Sequence, residues 1–130
     1  MASALMTGPG LIPPTIVSSV ATSTPITKTV KDQVKEYFRE NPIMVKIAWC
    51  ESRFRQYDKG GEIFRGVVND RDIGVMQINT DYHSKTATKM QIDLTTTEGN
   101  MAYAKYLYDK QGTAPWSSSS ACWKDEIAMK

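Results

Sequence analysis

From residue 30 onward the apolar positions recur at helical spacing. Val30, Val34, Tyr37 and Phe38 stand at i, i+4, i+7 and i+8, one stripe of a helix expected over 29–40. Asn41-Pro42 ends that helix, because the residue before a proline avoids the helical region, and starts the next, with Asn as N-cap and Pro at N1. That second helix runs through IMVKIAWCES. Ile43, Met44, Ile47, Ala48 and Cys50 make it apolar around most of its girth, so a central, buried position is expected. Beyond it, Asp58-Lys59-Gly60-Gly61 reads as a turn. Glu62–Arg65 and Val67-Val68 read as two short strands, with Asn69-Asp70 turning the chain. A short helix is expected over 83–90. Thr95-x-x-Glu98 is a capping-box signature for a helix over about 96–111, carrying Met101, Tyr103, Ala104, Leu107 and Tyr108 and closed by Gly112. Helices outnumber strands and the strand pair is local, so the fold class is α+β, mostly helical with a small hairpin lobe.

Residues 1–29 break this pattern. Pro, Ser, Thr and Gly dominate, and Pro9, Pro13, Pro14 and Pro25 deny regular structure. This stretch reads as a linker or an arm, which could dock through Leu11, Ile12, Ile16 and Val17. It has neither the positive start nor the unbroken apolar core of a secretory signal. The domain proper is therefore placed at 30–130.

Composition narrows the picture. The 130 residues suit one domain, and 41% hydrophobic with 23% charged residues is ordinary for a folded chain. No run of apolar residues is long enough to span a membrane. Sixteen Lys+Arg against fourteen Asp+Glu give +2, too weak to call for nucleic acid. Zinc, P-loop and dinucleotide patterns are absent from the sequence, so no metal and no cofactor are expected. Cys50 and Cys122 can form one disulfide, which would put the protein outside the cytoplasm; otherwise they are two buried thiols.

Glu51 is the residue to explain. It ends an apolar helix, and burying a carboxylate costs several kcal/mol unless it pairs or keeps its proton. A carboxyl raised by desolvation can protonate a leaving oxygen. The alternative is a helix-end Glu that reaches water and pairs with Arg53 or Arg55. Asp72 opens the string D-I-G-V-M-Q-I-N, in which Gly74 leaves room for a substrate or another backbone to approach. Gln77 and Asn79 carry amides suited to sugar hydroxyls and N-acetyl groups, or to bonding the hairpin backbone. Asp72 can equally be a turn-capping residue or a partner for Arg71. His83, in a polar stretch, is expected to be exposed and idle. The serines at 117–120 read as a flexible or sugar-contacting loop, with no base to activate a serine nucleophile.

Glu51-Ser52-Arg53-Phe54 followed by Gly74-Val75-Met76-Gln77-Ile78 resembles the E-S-x-F … G-[LIV]-M-Q-I signature of soluble lytic transglycosylases, in the lysozyme-like superfamily. Asp72–Asn79 is also similar to a strand of animal-type lysozymes and to the D-x-G-x-M-Q-I-N of secretion-system-associated transglycosylases. Asn100–Leu107 is similar to a transglycosylase helix. Cys50 directly before Glu51, with Cys122 after Pro115-Trp116, resembles resuscitation-promoting factors. The resemblance covers roughly 40–123. The A-Y-N-[AS]-G motif of many transglycosylases is missing, and Pro115-Trp116-Ser117-Ser118 stands in its place.

The resemblance implies a lysozyme-like fold and cleavage of the β-1,4 bond between N-acetylmuramic acid and N-acetylglucosamine in peptidoglycan. Glu51 would be the general acid and then base, and Asp72 a second carboxylate or a helper. Gln77, Asn79 and Tyr103 would meet substrate. Trp116 would shield Glu51 from water, and Cys50 would be bridged to Cys122. Cleavage forming 1,6-anhydro ends is favoured over hydrolysis. An extracytoplasmic monomer acting on glycan strands is expected. The competing functions are a module that grips glycan without cutting it, and a structural or inhibitory scaffold.

Overall fold

The helix starts follow from local chemistry. Thr29 caps α1 (Val30–Tyr37) by accepting from the Asp32 amide at 3.1 Å. Its Val34, with the following Phe38, is fully buried, whereas Tyr37 is exposed and stands edge-on to Phe38 instead of joining the stripe. The helix also ends earlier than the sequence pattern suggests, at Phe38. Proline at N1 opens α2 (Pro42–Ser52), although the Asn41 side chain makes no capping bond. Met44, Ile47, Ala48 and Ser52 are buried along α2, while Trp49 is half exposed. The computed structural model describes residues 27–124, so the 1–29 arm and its apolar positions lie outside the described residues up to residue 26.

The two strands are not where the apolar pattern put them. β1 (Asp72–Ile73) pairs antiparallel with β2 (Ile78–Asn79), with Asp72 opposite Asn79 and Ile73 opposite Ile78. The 62–68 segment contributes only isolated bridges, Tyr57 to Ile63 and Arg65 to Ile73. Val67 and Val68, expected as a strand, are 97% and 101% exposed. The lobe is therefore a hairpin built on D-I-G-V-M-Q-I-N, with 62–65 laid along its edge.

Asn79 also caps α3 (Thr80–Lys89), accepting from the Tyr82 amide, so this helix begins three residues before the expected position. The cap of α4 (Thr97–Gln111) is Thr96, whose hydroxyl accepts from Gly99; Thr95 bonds Asp93 instead. Gly112 closes α4 at φ +63°. The serine run is no loop. A 3-10 helix (Ala114–Ser119) leads directly into the single turn of α5 (Ser120–Trp123).

The core gathers Val34, Phe38, Met44, Ile47, Val75, Met76, Ile78, Met101, Tyr103, Leu107, Trp116 and Trp123. It is one cluster to which all the longer helices and the hairpin contribute. The fold is α+β, a helical body carrying one small antiparallel sheet among the described residues. Cys50 of α2 and Cys122 of α5 are bridged, with Cα atoms 6.0 Å apart. No described helix is long and apolar enough to cross a membrane.

Candidate functional site

The hairpin turn is held by three polar side chains buried beneath it. Ser52, at the end of α2, donates to the Val75 carbonyl at 2.8 Å. Gln56 Oε1 accepts from the Val75 amide and Asn100 Oδ1 from the Met76 amide, both at 2.8 Å. Asn100 Nδ2 also donates to the Ile73 and Leu94 carbonyls. Gly74, at φ +78°, gives these amides room. A Cβ there would lie 2.3 Å from Asn100 Nδ2 and 2.8 Å from Gln56 Oε1. The close approach expected here, of a substrate or another backbone, is thus made by the protein's own side chains.

This clamp sets the hairpin beside the C-terminal end of α2, and between them opens a cavity of about 380 Å³. Glu51, Asp72, Gln77, Asn79, Trp116 and His83 all line it. Of the sequence candidates only Tyr103 is absent from its wall: it is buried, and its hydroxyl lies 2.9 Å from His83 Nδ1. Tyr103 therefore supports a cavity residue instead of entering the cavity itself. His83 is correspondingly not the exposed residue that the sequence suggested. It is half-buried on the cavity wall, and burial pushes its pKa down. A larger hollow, about 670 Å³, lies by α1; its Glu36 is tied to Lys28, Glu98 also lines it, and none of the candidate site residues does.

Glu51 pairs with neither Arg53 nor Arg55. Its Oε2 accepts from the Ser119 hydroxyl at 2.6 Å. Ser119 in turn accepts from Trp123 Nε1 at 3.0 Å, so the indole orients the serine and the serine orients the acid. Burial raises the Glu51 pKa above its ordinary value. The Ser119 bond opposes the rise, and the negative charge of Asp72 adds to it. Asp72 Oδ1 accepts from Asn79 Nδ2 at 2.9 Å, which fixes one carboxylate oxygen. Asn79 spends its own oxygen on the α3 cap, so its amide serves the protein first. Gln77, at φ +52°, donates from Nε2 to the Gly74 carbonyl and braces the turn while lining the cavity.

Trp116 is 2% exposed. Its Nε1 donates to the Met76 carbonyl at 2.9 Å, pinning the 3-10 helix to the hairpin across the cavity floor. Ser119, Ser52, Gln56 and Asn100 were not singled out from sequence. For Ser119 a signal existed: it lies three residues before Cys122, and Glu51 directly follows Cys50, so the bridge brings both to one place.

No family model, curated protein or solved structure matches this chain. The site must therefore speak through its own chemistry. It offers one carboxyl held toward its protonated form, a second lining the same cavity, and amide and imidazole groups on the same wall. Such a pair can deliver a proton to a leaving oxygen while opposing charge stabilises the cation left behind.

The turn leaving α2 is backbone-strained. Arg53 and Phe54 both adopt left-handed conformations, at φ 56° and 62°. Each costs roughly 1–2 kcal/mol for a residue bearing a Cβ. Strain of this kind persists where the surroundings hold it, and it gathers at ligand sites.

Proposed function

We propose that this protein is a peptidoglycan-cleaving enzyme with a lysozyme-like fold, acting on the β-1,4 bond between N-acetylmuramic acid and N-acetylglucosamine. The observation that carries this is Glu51: a carboxyl raised by burial, hydrogen-bonded through one oxygen, on the wall of a cavity that also holds Asp72. A protein that only gripped glycan would gain nothing by burying an acid there.

Glu51 protonates the glycosidic oxygen, and the C1–O bond breaks as positive charge grows on the muramyl C1. Asp72 stabilises that charge from the hairpin side. The carboxylate left on Glu51 then takes the proton of the muramyl O6 hydroxyl. O6 attacks C1 and closes a 1,6-anhydro ring, with no water consumed. Hydrolysis differs only in the last step, where water replaces O6. Trp116, Leu107 and Pro115 supply apolar wall that keeps bulk water from the acid. The bridge between Cys50 and Cys122 is in keeping with work outside the cytoplasm. Both carboxylates come from one chain, so a monomer suffices.

Mass spectrometry of digested peptidoglycan tests this. Anhydro-muropeptides are expected. Products with free reducing ends assign hydrolysis instead, and intact strands overturn the enzymatic function. Asp72→Asn separates the two routes: anhydro-forming cleavage should lose only the charge stabilisation and stay measurable, whereas a hydrolysis using Asp72 as nucleophile should be abolished.

A further inference from the structure

Glu51 and Asp72 stand at a seam. Besides the cavity with His83 and Trp116, both line a second one of about 290 Å³ on the other side, walled by Arg53, Arg55, Val67 and Val68. The two sides differ in chemistry. The first is uncharged apart from the carboxylates, whereas the second carries two guanidiniums and two bare aliphatic side chains.

The guanidiniums are held but not neutralised. Arg53 lies 4.3 Å over the Trp49 ring and Arg55 4.2 Å over the Phe64 ring. Arg55 Nε donates to the Ser52 carbonyl at 2.8 Å, which fixes its plane and leaves its outer nitrogens free of that bond. Among the described residues neither arginine forms an ion pair. Arg53 is carried there by a left-handed backbone that glycine would adopt without strain. Stacked, oriented and unpaired arginines suit planar carboxylates. On the facing rim, Val67 and Val68 are fully exposed, an apolar pair that no part of the described chain covers.

We infer that this second cavity is a subsite for the acidic substituent of the muramyl residue, with Arg53 and Arg55 binding a carboxylate while Val67 and Val68 face its methyl groups. This rests on the peptidoglycan reading above and deepens it: the enzyme would select strands by what hangs from the sugar as well as by the sugar. The carboxylate has two sources. In peptide-free strands it is the lactyl group's own. In peptide-bearing strands that group is an amide, and the acid groups belong to the peptide.

Equilibrium binding of soluble oligomers tests it, using three probes of matched length: peptide-bearing muramyl strands, peptide-free muramyl strands, and neutral N-acetylglucosamine oligomers. The wild type should prefer at least one anionic probe over the neutral one by about tenfold or more, the scale of one charge-assisted hydrogen bond, and salt should erode the preference. Arg53→Gly, which suits the backbone, should bring the ratio of anionic to neutral affinity toward one. Arg55→Gln should do the same, and Arg53→Lys should keep part of the preference. Which anionic probe is preferred assigns the source. A preference that survives Arg53→Gly and Arg55→Gln together, or a wild type with no preference, overturns the subsite. Preferential binding without cleavage leaves the subsite standing and overturns the catalytic function. Failure to bind any oligomer overturns both.

Discussion

At the scale of single residues, Glu51 is the proposed acid because of what surrounds it. Glu51→Gln keeps its shape and removes its proton, so cleavage should fall at least about 10²-fold, read from the release of soluble muropeptides. The same substitution should stabilise the fold at neutral pH. The folded pKa of Glu51 lies above its unfolded value, so the stability linked to it is present below pH about 4.5 and lost as pH rises through the folded pKa. Denaturant titrations should show Glu51→Gln gaining on the wild type as pH rises through that window and no gain below it. Ser119 works in the opposite sense. Its hydrogen bond favours the charged form, so Ser119→Ala should raise the Glu51 pKa further and move the alkaline limb of the pH–rate profile upward. An unmoved limb would mean that the titrating group is not Glu51. The sequence pointed to Glu51 because a charged residue ended an apolar run. Periodicity could not point to Ser119, 68 positions from its partner; only the pairing of Cys50 with Cys122 carried a signal for it.

At the scale of elements, what was legible tracked how local the determinants were. α2 and α4 were readable from Pro42 and Gly112, which act within a turn of themselves. The hairpin was misplaced. Ile63-Phe64 and Val67-Val68 carry strand-like composition, while the true strands are two residues each, too short for any alternation to register. What determines them is tertiary: Gln56 and Asn100, from outside the hairpin, receive the Val75 and Met76 amides. Asn100→Ala would strand the Met76 amide and take a donor from the Ile73 carbonyl, leaving Leu94 its bond from Gln56 Nε2, and should cost about 2–3 kcal/mol in chemical denaturation. Gly74→Ala meets both a left-handed backbone and the Asn100 amide, so a loss of at least about 2 kcal/mol is expected. In each case activity should fall with the fold, because Asp72 and Gln77 stand at either end of the clamped segment.

At the scale of the whole molecule, the bridge from Cys50 to Cys122 joins positions 72 apart, and nearly all of the cleft lies between them. The chain-entropy model assigns such a closure about 4 kcal/mol, and a fall of that order is expected for a Cys50→Ala/Cys122→Ala protein in denaturant titration. The closed loop also contains Val67 and Val68, the most exposed apolar residues of the described chain. A protease that accepts valine should cut there first, since both side chains are fully exposed and the segment belongs to no helix or strand. Cys50 belongs to one product of that cut and Cys122 to the other. The nicked protein should therefore migrate as one band without reductant and as two with it. The two pieces, tethered through sulfur and clamped where Ser52 and Gln56 of one meet the Val75 backbone of the other, should stay associated as a split protein in native buffer.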